Sequence, residues 1–263
     1  MTESVMTTSA APGRRPEQMF RGYIFDLDGT LYLGEQALPG AVRLVAALRE
    51  MGAKVLFLTN NPTRDPEQYA AKLTKIGIPA TPDDILNTVF TMVQWLLRHH
   101  PGATVYPVSE QPLKDALAAA GIRVSEDPAE IDFVIASYDR TFTYQKLQIA
   151  FDAIWFHKRA QLVTTNPDRY CPFPGGRGEP DAATIVAAIE AGTGTTCIQN
   201  VGKPDPFMLE AALTRLDLAA PAREGAVAIG VGGDQLCPLV EPDRVEGNLE
   251  LLVGEGAVVA GDD

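Results

Sequence analysis

The sequence predicts an α/β fold built around a parallel sheet, and three observations predict it. Tyr23-Ile24-Phe25 is a short apolar run of the buried-strand kind, and Lys54-Val55-Leu56-Phe57-Leu58 is another. Between them, Leu38 to Met51 places Val42, Leu44, Val45 and Leu48 on one helical face, with Pro39 near its start and Gly52 as its stop. Strand, helix and strand in that order form a βαβ unit, whose strands run parallel.

The alternation continues. Asp65 to Ile76 reads as a helix closed by Gly77, and Ile85 to His100 as a third. In that third helix Ile85, Val89, Met92, Val93, Leu96 and Leu97 are apolar, and Met92 and Trp95 read as core. Pro101-Gly102 marks a boundary, after which a second α/β alternation begins. It comprises a strand at Thr104–Val108, a helix at Gln111–Ala120, a strand at Ile131–Ala136, a helix at Thr143–Lys158 and a strand at Gln161–Thr165. A helix over Asp181–Ala191 follows, stopping at Gly192. The intervening Asn166 to Pro180 is rich in Pro and Gly and reads as a long loop. Ala226-Val227-Ala228-Ile229 is a late apolar run.

The chemistry gathers where these runs end. Asp26 and Asp28 follow the first run, with Gly29 and Thr30 after them. Residues i and i+2 of a strand share a side, so both carboxylates face one pocket, where their repulsion calls for a cation or a shared proton. Alone, the pair reads equally well as a solvated acidic turn. Thr59-Asn60-Asn61 ends the second run, and Lys203 stands in the loop Asn200 to Pro206 that opens a helix. Ligands of open α/β sheets bind at the carboxyl ends of the strands. Two acids, a Thr-Asn pair and a lysine converging there make a phosphate site with a metal.

These motifs resemble those of the haloacid dehalogenase-like hydrolases. Asp26-Leu27-Asp28-Gly29-Thr30 matches the first motif of that family, Thr59-Asn60-Asn61 the second and Lys203 the third. Ser137-Tyr138-Asp139, Thr143 to Leu147 and Thr165-Asn166-Pro167-Asp168 are similar to its NagD-like, 4-nitrophenylphosphatase-like branch. The resemblance implies a Rossmann-like parallel-sheet core with an inserted α/β cap domain. Residues 20–100 and 198–263 are then the core, the latter part shortened, 101–197 the cap, and 1–19 a disordered leader. It implies a phosphatase of small phosphomonoesters working through an aspartyl-phosphate. Asp26 is the nucleophile, Asp28 the acid and base, and Lys203 the charge-balancing cation. Gly29, Thr59 and Asn60 bind phosphate through backbone nest and side chain. Mg²⁺ is held by Asp26, Asp28 and an acid from a fourth motif, for which Asp234 in Gly232-Gly233-Asp234 is the candidate. Arg169, Tyr170 and Cys171 are the implied specificity residues of the cap, and the cap is a surface through which copies of the chain associate.

The fourth motif departs from the pattern. Leu239 stands five residues after Asp234, where the family places a second acid. A strand and helix expected before the tail are missing. An alternative is therefore a weakened or inactive relative that binds phosphorylated ligands without efficient turnover.

Composition limits the partners. With 46% apolar and 21% charged residues the chain fits a globular protein. A net charge of −12 opposes a nucleic-acid surface, but a local positive pocket still accommodates a small phosphorylated metabolite. No run approaches the roughly 18 apolar residues of a membrane span. Cys171, Cys197 and Cys237 have no metal-ligand spacing, and so sparse a count suits the reducing cytoplasm.

Overall fold

Two parallel sheets, each covered by helices, make up the computed structural model, which describes residues 20–173 and 175–218 and the backbone of 227–230. The chain starts with β1 (Gly22–Asp26), a small hairpin of β2 (Tyr32–Leu33) and β3 (Gln36–Ala37), and α1 (Ala41–Glu50). Then come β4 (Lys54–Thr59) and α2 (Pro66–Lys75), which begins with a reciprocal capping box between Asp65 and Gln68. The second-helix expectation thus holds within a residue at each end.

The third predicted helix needs a correction. Ile85–Asn87 is a strand, β5, and the helix α3 spans Thr88–His99. Ile85 and Leu86 are fully buried beside β4, and the Asn87 side chain caps α3 by accepting the Phe90 N–H. A short apolar run before a helix does not reveal by period alone where strand gives way to helix. Met92 and Trp95 are core residues, packed with Val105 and Phe133.

The first sheet has the order β13-β1-β4-β5, with β13 at Val227–Gly230, and all its pairings are parallel. Asp26 lies opposite Leu58, and Thr59 opposite Asn87, so the carboxyl ends of β1, β4 and β5 are level. Ile24, Leu56 and Phe57 are buried at its centre. Burying side chains of this size stabilises by about 1.5–3 kcal/mol each.

The second sheet uses β6 (Thr104–Val108), α4 (Gln111–Ala119), β7 (Arg123–Val124), β8 (Phe133–Ala136), α5 (Tyr144–Phe151) and β9 (Gln161–Thr164). A π-helical turn, Asp152–Phe156, extends α5. The expected long loop is instead largely a hairpin of β10 (Tyr170–Phe173) and β11 (Arg177–Pro180). Its Pro and Gly hid the pairing, since both residues normally weaken strands. The helix α6 (Ala182–Thr193) runs through Gly192, the expected stop, and ends at Gly194, whose φ is 71°. Gly192 lies inside the helix beside the Phe151 ring, and the left-handed residue that ends α6 is Gly194 instead.

The short β12 (Gln199–Asn200) joins β9, giving the order β12-β9-β8-β6-β7, all parallel. α7 (Pro206–Arg215), capped by Asp205, returns to the first sheet and packs on it with Met208, Ala212 and Leu213. Residues 1–19, the C-terminal fourth motif with Asp234 and Leu239, and Cys237 lie outside the described residues.

Candidate active site

The site forms where β1 and β4 end. Lys203 Nζ donates to Asp26 Oδ1 at 2.6 Å, and both side chains are only 16% exposed. Two residues on, the Asp28 carboxylate accepts from the Tyr32 hydroxyl at 3.1 Å. Asp28 is exposed as a residue, yet enough protein crowds its carboxyl that burial raises its pKa. Lys72, the Tyr32 hydroxyl and Arg64 oppose that rise, and the Asp26 charge adds to it. One acid beside a lysine and another pushed toward its protonated form are an arrangement able to separate nucleophile from proton donor.

Gly29 has φ of 80°, which suits glycine, but its N–H donates to Tyr32 O at 2.8 Å. The Thr30 N–H is likewise directed to Leu27 O. The expectation that the N–H groups after Asp28 form an anion nest is corrected for these two, because the turn itself consumes them. Thr59 is buried, and its hydroxyl accepts the Asn61 N–H at 3.1 Å.

Asn60 is the joint of the site. Its Oδ1 accepts the Lys203 N–H at 2.8 Å, and its Nδ2 lies 3.1 Å from Asp168 Oδ2 and 3.2 Å from Lys203 O. The Asn60 amide is thus spent on the Lys203 loop and Asp168, and its carbonyl accepts from Thr88 and Asn166. Gly202 permits the close approach of that loop, since an added Cβ would lie 2.5 Å from Thr165 O and 2.8 Å from Asn60 Oδ1.

The hairpin brings Cys171 over the site. Asn61 Nδ2 lies 3.8 Å from Cys171 Sγ, and burial, followed by nearby Asp181 and Asp28, pushes the thiol up to about 12. A thiol so far from ionisation is a packing surface and not a nucleophile. Neighbours in a strand face opposite ways, so Tyr170 turns from Asn61 and is 58% exposed. Arg169 and Tyr170 line a shallow cavity of about 400 Å³ with Arg177 and Glu179. Of the three expected specificity residues, Cys171 makes the side-chain contact with a core motif, through Asn61. Its partner across the hairpin is Glu179, which accepts from the Tyr138 hydroxyl, and Phe173 pairs with Arg177 on the same face.

Tyr32, Lys72 and Arg64 went unrecognised in the sequence. Lys72 Nζ sits 3.7 Å from the Tyr32 ring centroid, a cation–π contact, and its charge acts on Asp28. No motif spacing marks a lysine inside α2 as part of a site. Asp168 belongs to a recognised motif, but its contact with Asn60 spans 108 residues and is visible only after folding.

Comparison with known proteins agrees with this geometry. A family model described as haloacid dehalogenase-like hydrolase matches residues 23–123. An acid sugar phosphatase of Staphylococcus saprophyticus is 33% identical over 200 residues, covering 76% of this chain and 75% of that protein. The chain belongs to the haloacid dehalogenase-like hydrolases. Within them this hydrolase falls in the NagD-like, 4-nitrophenylphosphatase-like branch. The p-nitrophenyl phosphatase of Archaeoglobus fulgidus superposes with a TM-score of 0.69 at 29% identity, over 76% of this chain and 75% of that one. A glycerol phosphate phosphatase of Mycobacterium tuberculosis, solved in complex with calcium, gives a TM-score of 0.71 at 28% identity, over 83% of this chain and 61% of that one. The curated relative and both structures bear the names of phosphoric monoester hydrolases.

Proposed function

We propose that this hydrolase cleaves small phosphomonoesters by phosphoryl transfer to Asp26. The observation that carries the reading is the Asp26–Lys203 pair at 2.6 Å with Asp28 two residues away. An Asp26 carboxylate oxygen attacks phosphorus, and the ester P–O bond breaks. Asp28 gives its proton to the departing oxygen. Asp28 then takes a proton from water, whose oxygen attacks the aspartyl-phosphate, releasing inorganic phosphate and restoring Asp26. Lys203 balances charge on Asp26 and on the phosphoryl oxygens as the transfer proceeds. Thr59 and the Asn60 backbone hold those oxygens.

The donors fit a hard divalent cation. Asp26 has a second carboxylate oxygen beyond the one on Lys203, and Asp28 offers its main-chain carbonyl, both oxygen ligands of the kind Mg²⁺ takes. Among the described residues no three acid, His or Cys side chains converge, so Asp234 is the proposed third ligand. When bound, Mg²⁺ supplies charge neutralisation to the phosphoryl group.

The second sheet, with residues 101–197 as the proposed cap, covers the site and limits it to small leaving groups. Cys171, which the hairpin holds beside Asn61, supports this. A phosphate-release screen over sugar phosphates, glycerol phosphate, nucleotides and p-nitrophenyl phosphate, with and without Mg²⁺, tests the proposal. Mg²⁺-dependent release is expected. Its absence across the panel would refute the reading.

A further inference from the structure

We propose that Asp168 is a positioning residue for Lys203, acting through the Asn60 side chain. Three segments distant in sequence meet here: Thr59–Asn61, Thr165–Asp168 and Asn200–Lys203. Asn60 is 8% exposed and Asn166 fully buried, so their amides need protein partners. The Asn60 amide has two N–H donors, and Nδ2 spends them on Asp168 Oδ2 and Lys203 O. Its Oδ1 accepts the Lys203 N–H. The amide plane is thereby pinned from both sides, and the Lys203 backbone is held twice by one side chain.

Asp168 is itself held. Its N–H donates to Asn166 Oδ1 at 2.9 Å, and Asn166 Nδ2 donates to Asn60 O at 3.2 Å. Asn60, Asp168 and Asn166 form a closed ring that ties the end of β9 to the end of β4. Burial raises the Asp168 pKa, whereas the Asn60 hydrogen bond and the Lys203 charge favour its ionised form. Removing the Asp168 acceptor frees one Asn60 N–H. The amide can then turn, and the Lys203 loop loses the plane that aims its ammonium at Asp26. Because Asp168 sits in the loop after β9, its grip makes the aim of Lys203 depend on where the second sheet sits.

The effect on turnover rests on the phosphatase reading; the placement of Lys203 does not. Two readouts separate them. The first is turnover of p-nitrophenyl phosphate with Mg²⁺ by the unaltered chain, Asp168→Ala and Asp168→Asn. The second is the acetylation rate of Lys203 by an N-hydroxysuccinimide ester, followed by mass spectrometry, which needs no activity.

Misplacing a catalytic group by an ångström can cost about 10²-fold, so Asp168→Ala should lose at least ~10-fold in kcat with little change in KM. Lys203 should acetylate faster in Asp168→Ala. Asp168→Asn keeps a carbonyl oxygen for the Asn60 N–H and should restore both values most of the way. Asp168→Ser, too short to reach Asn60, replaces Asp168→Ala if that variant does not fold. Lys203 acetylation unchanged in folded Asp168→Ala or Asp168→Ser overturns the proposal, as does Asp168→Asn behaving like Asp168→Ala. No turnover by the unaltered chain would sink the proposed function alone, leaving the acetylation rates to decide on Asp168.

Discussion

Lys203 Nζ rests 2.6 Å from Asp26 Oδ1 although 177 residues separate the two in the chain. Everything in the second sheet lies between them in sequence. The pair closes because α7 returns to the first sheet and the Lys203 loop precedes it, with Gly202 threaded between Thr165 and Asn60.

Asp26→Asn should abolish turnover and leave the fold intact. The amide keeps the shape of the side chain but is a poor nucleophile and carries no charge for Lys203 to balance. A loss of about 10³-fold or more in kcat is expected when such a group is removed. Far-ultraviolet circular dichroism should match the unaltered protein. A variant that retains a few per cent of the activity would show that Asp26 is not the nucleophile.

Gly202→Ala should damage both stability and activity. The new methyl group would sit 2.5 Å from Thr165 O and 2.8 Å from Asn60 Oδ1, and neither atom is the end of a long flexible chain. Overpacking of this kind costs about 1–3 kcal/mol. The urea midpoint should fall and kcat should drop with it, since Asn60 and Lys203 are displaced together. Equal midpoints would contradict the packing described.

Asp181 gives stability a pH dependence. Its side chain caps α6 by accepting the Ala182 N–H, and burial, with the nearby Asp168 charge, raises its pKa from 3.8 to about 7. A folded pKa above the unfolded one means that its contribution is fully present below about pH 4 and is lost as pH rises through about 7. Asn also serves as an N-cap and cannot ionise. Asp181→Asn should therefore gain on the unaltered protein as pH rises from 4 to 8. A tenfold difference in proton affinity between the folded and unfolded chain corresponds to about 1.4 kcal/mol. Denaturant midpoints measured at both ends of that range check it; a constant difference between the two proteins would show that Asp181 does not titrate this way.

Replacing Asp234 with Ala should raise the Mg²⁺ concentration needed for half-maximal activity, or remove activity. Mg²⁺ keeps several waters and is held by only one or two carboxylates with substrate phosphate, so losing one carboxylate weakens its hold. An unchanged Mg²⁺ titration would exclude Asp234 as a ligand.

The sequence by itself determined the alternation of strands and helices, because apolar period, capping residues and stop glycines are local signals. β6 and α2 illustrate this: the strand Thr104–Val108 and a helix over Asp65 to Ile76 are legible to within a residue. So were the motif residues Asp26, Asp28, Thr59, Asn60 and Lys203, because their order carries the family resemblance. Other features only the tertiary structure decided. Whether Ile85–Asn87 is strand or helix depends on β4 being there to pair with it. Whether α6 stops at Gly192 or runs on to Gly194 is not marked locally, since either glycine can take the left-handed cap, and the fold puts it at Gly194. The Gly29 N–H is spent on Tyr32, and Tyr170 is turned from Asn61, by the turn and the hairpin that hold them. Lys72 and Asp168 reach the site across contacts between distant segments. Such contacts leave no periodic mark in the chain, since the partner of each side chain is chosen by packing and not by spacing.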